Sequence, residues 1–151
     1  MADFERGKEP EMQPSLGRLI SCLYRYSQIY LGRELEQYNI GSGQFSFLIA
    51  LYYEEGITQE CLAQRLDVDK ATSARAVKKL VEAGLVKREK NAQDRRMFNV
   101  FLTERGRRIE SEIRRISSRW TTHLLSGLVE DEKEIISSLL EKMVENASDV
   151  R

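Results

Sequence analysis

The side chains in this sequence best placed for chemistry are cations, and their spacing suits a polyanion rather than a reacting small molecule. Lys70-Ala71-Thr72-Ser73-Ala74-Arg75 opens a stretch of helical pattern, and Lys78-Lys79 follow within it. Ala71, Ser73 and Ala74 are small enough to let a helix backbone come close to a duplex. Thr72 can donate to a phosphate or a base, and Arg75 carries the planar fork that matches guanine O6 and N7. Lys78 and Lys79 are better placed for phosphates, and the helix N-terminus adds partial positive charge. A second cationic group, Asp94-Arg95-Arg96, follows the turn formers Asn91-Ala92-Gln93. An arginine at the tip of a hairpin suits the narrow minor groove, whose negative potential attracts it. Each piece also has a plain alternative: a solvated arginine, a wet lysine face, or a salt bridge that only shapes a turn. Their order within one segment favours contact with DNA.

Charge distribution supports that choice. The 151 residues sum to zero, yet residues 70–108 hold twelve Lys/Arg against four Asp/Glu, a net +8 that leaves the rest at −8. Segregation of this kind is expected when one stretch meets a polyanion and the remainder must not. Catalysis has little support: there is no Ser/His/Asp or Cys/His set and no glycine-rich phosphate loop, so the chain reads as a non-enzyme. One histidine, His123, and two distant cysteines, Cys22 and Cys61, build neither a zinc site nor a disulfide framework, and no cofactor or metal is expected. No apolar run approaches the ~18 residues of a membrane span. Met1 to Pro14 is polar and mixed in charge, unlike a secretory or transit peptide, which makes the cytoplasm the expected location.

The elements that must position these cations follow from periodicity. Apolar residues at helical spacing (Leu16, Leu19, Ile20, Leu23, Ile29, Leu31, Leu35) predict a helix from Ser15 to about Tyr38, apolar on more than one face. After the break at Asn39–Gly43, Ser42 is a candidate N-cap for a helix with Phe45, Leu48, Ile49 and Tyr52. Thr58 can cap a third helix, with Ile57 and Leu62 at staple spacing, and Asp69 can cap a fourth that Gly84 stops near Ala83. The period then changes. Leu85–Glu89 and Phe98–Leu102 predict a two-stranded hairpin with Arg95 and Arg96 at its tip. Helices over Glu104 to about Leu125 and Asp131 to about Ala147 carry narrow, sustained apolar stripes, the seam of helices that pack on partner helices. The fold class is mainly α with a small β-hairpin wing, a winged helix-turn-helix.

The stretch Ile57-Thr58-Gln59-Glu60, Leu62-Ala63, Leu66, Val68-Asp69-Lys70, Thr72, Arg75, Val77, Leu80 and Gly84-Leu85-Val86 resembles the core of MarR/SlyA-type regulators. Asp94-Arg95-Arg96 and Leu102-Thr103-Glu104-Arg105-Gly106 resemble that family's wing and its entry to the long dimerisation helix, so the resemblance runs over about residues 15 to 148. It implies one domain over 1–151: dimerisation helices at 15–40 and 104–148, and a DNA-binding lobe at 41–103. It implies a homodimer on a near-palindromic double-stranded operator, with Arg75 reading bases, Arg96, alone or with Arg95, entering the minor groove, and Asp94 bracing the wing. Many members are repressors released by small aromatic or phenolic anions, so a ligand of that class is a further implied partner. For its pocket, Tyr24 and the carboxylate-binding candidates Arg18 and Arg25 on the first helix stand with Phe45 and Tyr52 on the second, although core packing explains the aromatics equally well. Other members sense oxidants through a cysteine near the start of the first helix. The matching position here is Gly17, and Cys22 lies more than a turn later, which favours a packed thiol over a redox-sensing one. A winged-helix module that binds protein and never DNA is the competing class, and it would leave the +8 segment without a partner.

Overall fold

The computed structural model describes residues 15–150, so the non-targeting character assigned to Met1–Pro14 lies outside the described residues. Helix α1 (Leu16–Leu35) is capped by Ser15, whose Oγ accepts the Arg18 amide at 3.2 Å. It stops three residues short of the expected Tyr38. Glu36–Tyr38 tighten into a 3-10 turn closed by Asn39 in the left-handed region, at φ 59°. Asparagine tolerates that conformation better than most residues, which is why the chain reverses there. Helix α2 (Ser42–Tyr53) has Gly41, not Ser42, at its N-cap. Gln44 reaches back so that its Oε1 accepts the Gly41 amide at 2.8 Å, which places Ser42 one residue inside the helix.

A strand that periodicity could not show comes next. β1 is only Ile57–Thr58, too short to alternate, and Thr58 also caps α3 (Gln59–Arg65) by accepting the Cys61 amide. A turn with Asp67 at φ 55° leads to α4 (Lys70–Glu82). Asp69 caps it as expected, and Gly84 at φ +74° ends it. β2 (Val86–Lys90) and β3 (Phe98–Leu102) form the predicted hairpin, antiparallel from Val86↔Leu102 to Lys90↔Phe98. β1 joins the other edge of β3 through Ile57↔Val100 and Thr58↔Asn99, so the sheet has three strands in the order β1-β3-β2. The wing is thereby tied to the start of the helix-turn-helix by main-chain pairing.

The single helix expected from Glu104 is divided into α5 (Glu104–Arg108) and α6 (Glu110–Leu124) at Ile109. Ile109 packs against the core, and its amide reaches the Arg105 carbonyl at a long 3.3 Å while Ile113 bonds Ile109 at 3.0 Å. The helix is interrupted there, with Ile109 at φ −91° and ψ 0°. Helix α7 (Glu130–Ser148) follows, with Glu132 accepting the Val129 amide.

Leu35, Phe47, Leu48, Leu51, Leu62, Val77, Leu80, Leu85, Val100 and Ile113 form one core shared by α1, α2, the helix-turn-helix, the sheet and α6. Burying such a side chain contributes about 1.5–3 kcal/mol. That core fixes α4 and the wing relative to α2. Beyond it, α7 buries no residue, and Ile135, Ile136, Leu139, Leu140 and Val144 stand exposed along it. Leu16, Leu19, Ile20, Leu23, Tyr26 and Ile29 are likewise exposed on α1. No helix among the described residues is long and apolar enough to cross a membrane.

Candidate nucleic-acid interface

Helix α4 turns Ser73, Ala76, Val77 and Leu80 inward, leaving Ala71, Arg75 and Lys78, spaced four and three apart, as one outward stripe. Lys70 lies on its flank, loosely paired with Glu60 of α3 at 3.6 Å, and Ala74 is half-buried beside it. Ser73 departs from expectation. It is fully buried and its Oγ donates to the Gln59 carbonyl at 2.7 Å, so its small size serves the close approach of α3 and α4 rather than of a duplex. Lys79 parts from Lys78: it borders a cleft of about 680 Å³ with Glu36, Asn39, Gln44 and Glu82. Neither lysine has a hydrogen bond or ion pair among the described residues.

The N-terminus of α4 carries a connected set of side chains. Asp69 Oδ1 accepts the Thr72 amide at 2.7 Å, and Asp69 Oδ2 accepts the Thr72 hydroxyl at 2.9 Å. Arg75 Nη2 then donates to Thr72 Oγ1 at 3.2 Å. These bonds, the Thr72 amide first, hold the Asp69 carboxyl below its ordinary value, with the Arg75 charge adding to them. The hydroxyl proton expected to reach DNA from Thr72 is committed to Asp69 here.

At the wing, Asn91 Oδ1 accepts the Gln93 and Asp94 amides, and Asp94 Oδ1 accepts both the amide and Nε of Arg96. The Arg96 bonds lower the Asp94 carboxyl, side chain before backbone. Arg96 is thus braced by Asp94, while Arg95 is exposed and has no hydrogen bond or ion pair among the described residues. A relay missed by sequence reading fixes the tip to the body: Asn91 Nδ2 donates to Asn99 Oδ1, and Asn99 Nδ2 donates to the Gly56 carbonyl. Asn91 was legible as a turn former, but Asn99 carried no signal, because its partners come from 8 and 43 residues away.

Not every cation of the +8 segment is turned outward. Arg105 Nη1 donates to the Ala83 carbonyl at 3.0 Å, closing the C-terminal end of α4, and Arg107 pairs with Glu55. Arg88 lies over the Phe98 ring, and Arg108 pairs with Glu104. Among the described residues, Lys78 on the outer stripe of α4 and Arg95 on the wing are exposed without a hydrogen bond or ion pair.

The five pocket candidates are not brought together. Arg18, Tyr24 and Arg25 are exposed on the first half of α1, and Arg25 Nη2 donates to Cys22 Sγ at 3.2 Å. Tyr52 is tied into the core instead: its hydroxyl donates to the Gly106 carbonyl at 2.7 Å, and burial pushes the phenol well above its ordinary value. Phe45 alone lines a cleft, of about 410 Å³, with Ile49, Ala50, Tyr53, Arg65, Leu66 and Ser117. Helical spacing put the aromatics of α1 and α2 on paper side by side, but the packing of α1 across α2 sends them to different surfaces. Cys61 sits at the third position of α3, half-buried, and Trp120 stacks on Tyr30 at 4.9 Å while bonding Ser27.

Comparison with known proteins meets the same architecture. The MarR family model matches residues 40–98, from the end of the 3-10 turn to the start of β3. The HTH-type transcriptional regulator YybA of Bacillus subtilis is 35% identical over 113 residues, 75% of each chain. The crystal structure of a MarR transcriptional regulator from Methanosarcina mazei is 47% identical, with a TM-score of 0.84 over 89% of this chain and 97% of that one. A putative MarR family regulator from Listeria monocytogenes, solved in complex with a 26mer DNA, is 28% identical with a TM-score of 0.82 over 91% of both chains.

Proposed function

The chain belongs to the MarR family and is a dimeric DNA-binding transcriptional regulator rather than an enzyme; from that premise we propose that it is a repressor whose two copies place α4 and the wing on a near-palindromic operator. Lys70, Ala71, Thr72, Ala74, Arg75, Lys78 and Lys79 are the proposed contacts from α4, and Asp94, Arg95 and Arg96 those from the wing. The observation that carries this assignment is the outward stripe Ala71–Arg75–Lys78 beside a wing tip on which Arg95 is exposed without a partner among the described residues. Arg75 reads a base edge in the major groove, Lys78 neutralises phosphate, and the braced arginine tip enters the minor groove.

Residues 15–40 and 104–148 supply the dimer. The exposed apolar stripes of α1 and α7 find no cover among the described residues, and covering them with a second copy removes that surface from water. Residues 41–103 form the DNA-binding lobe, and the protein works in the cytoplasm. Release by a small aromatic anion is proposed at the Phe45 cleft, where apolar walls meet the Arg65 guanidinium at the seam between the lobe and α6. A thiol-based release at Cys22 is a second reading, favoured by the Arg25 guanidinium against its sulfur.

The test is selection of bound duplexes followed by quantitative footprinting at several salt concentrations, with wild type and Arg75→Ala. Half-sites about one helical turn apart and a steep fall of affinity with salt are expected. Arg75→Ala is expected to relax preference at one position per half-site. Binding that ignores ionic strength, or a monomer by light scattering, would defeat the proposal. Aromatic acids that weaken the complex in wild type but not in Phe45→Ala would support the release site. Loss of the complex on mild oxidation, abolished by Cys22→Ser, would support the second reading instead.

A further inference from the structure

We infer that Asp69 is a positioning residue for base readout: through the Thr72 hydroxyl it holds the Arg75 guanidinium in the orientation that meets the base edge. This rests on the assignment of Arg75 as the base-reading residue.

An arginine on an exposed helix face has four soft side-chain torsions, and ordering them on binding weakens the contact it makes. Here the ordering is done beforehand. Asp69 uses its two carboxylate oxygens for different tasks. Oδ1 takes the Thr72 amide, which is the ordinary duty of an N-cap. Oδ2 takes the Thr72 hydroxyl proton, which a cap does not require. With its proton committed to Asp69, Thr72 Oγ1 offers only lone pairs outward, and Arg75 Nη2 fills one at 3.2 Å. The hydroxyl is polarised by a carboxylate on one side and a guanidinium on the other, so donor and acceptor directions agree along the whole chain. Arg75 has five N–H donors, and this bond uses one nitrogen's share, leaving the rest of the fork for a bidentate partner. Asp69 and Arg75 lie six residues apart and do not bond directly. Thr72, three residues from each, closes the gap because i and i+3 share a helix face.

Capping and positioning separate experimentally because they use different oxygens. Asp69→Asn keeps an oxygen for the Thr72 amide, and asparagine caps as well as aspartate, but its amide nitrogen cannot accept the hydroxyl proton. Thr72→Val removes the hydroxyl at nearly constant shape, and Thr72→Ser restores it. The readout is the ratio of affinities for the preferred base and its alternatives at the position that Arg75→Ala relaxes, measured on the full-length dimer, with thermal melts in parallel. A good bidentate pair discriminates by about 1–3 kcal/mol, so Arg75→Ala is expected to lose about five- to 150-fold in that ratio. Asp69→Asn and Thr72→Val are expected to lose about three- to tenfold, a part of the same interaction. Thr72→Ser is expected to keep the wild-type ratio, with melting temperatures little changed across the set. The ratio cancels any uniform gain in affinity from removing the Asp69 charge. If Asp69→Asn and Thr72→Val discriminate as wild type does while Arg75→Ala does not, Asp69 is a cap only and the inference is overturned. If Arg75→Ala also leaves the ratio unchanged, it is the assignment of Arg75 that has failed.

Discussion

Gly106→Ala is the substitution on which the geometry makes its sharpest demand. A Cβ built on Gly106 sits 2.1 Å from the Leu85 carbonyl oxygen and 3.1 Å from its carbon. Carbon and oxygen approach no closer than about 3.3 Å even in favourable contacts, so α5 and Leu85, the residue before β2, must part by roughly 1 Å. Both sides of that contact are tied down. Leu85 O accepts the Thr103 amide at 3.0 Å, Thr103 Oγ1 donates to Gly84 O and accepts the Gly106 amide, and Gly106 O accepts the Tyr52 hydroxyl. Overpacking a core contact costs about 1–3 kcal/mol, and each hydrogen bond stretched out of range adds about 1 kcal/mol. Breaking one or two of these gives an expected loss of about 2–5 kcal/mol, a large part of the stability of a domain this size. Gly43→Ala is the matched control. It makes the same chemical change at an exposed site in the first turn of α2 with nothing within 4 Å, and it is expected to be neutral or to stabilise by up to ~1 kcal/mol. Urea unfolding at matched protein concentration measures both, since a dimer's apparent stability depends on concentration. A Gly106→Ala transition within about 0.5 kcal/mol of wild type would refute the close packing of α5 on Leu85.

Arg105, Arg95 and Tyr52 are groups whose roles the structure separates. Arg105→Ala removes the cation that closes the end of α4, so it is expected to lower stability by about 1–2 kcal/mol while leaving the salt dependence of DNA binding unchanged. Arg95→Ala is expected to do the reverse, reducing the slope of log affinity against log salt by about one with little change in melting; a reduced slope for Arg105→Ala would contradict the division. Tyr52, whose folded phenol is raised above the ordinary value by burial, favours the folded state below about pH 10, and that contribution is lost as pH rises beyond the unfolded value. Tyrosinate absorbance during alkaline titration should therefore show a last step that coincides with unfolding and is missing in Tyr52→Phe; a Tyr52 that titrates with the exposed tyrosines would refute its bond to Gly106.

Local signals carried much of the lobe. Asp69 and Thr58 announced their caps because a cap and its helix are neighbours in sequence, and Gly84 announced the end of α4 because only a residue free of Cβ takes φ +74° cheaply. The hairpin was legible from the change of period and the Asn91 turn. What failed had no local signature. β1 is two residues long and exists because β3 offers it an edge. The break at Ile109 falls where that side chain packs against the core, and Ser73 looked like an outward small residue until α3 was laid against it.

The amino-acid sequence by itself determined where the helices and the hairpin lie, that α4 carries cations along its length, and that α1 and α7 carry extended apolar stripes, since these depend on residue order within a turn or two. Tertiary structure alone decided which cations remain outward. Arg105 and Arg107 are held by Ala83 and Glu55, and Arg95 at the tip of the wing is exposed without a partner among the described residues. It also decided that Asn99 anchors the wing through Gly56, and that Tyr52 belongs to the core rather than to a pocket. The reason is the same in each case. A side chain's role is set by the partner that packing brings to it, and partners 22 to 54 residues away in the chain leave no periodic trace in its sequence.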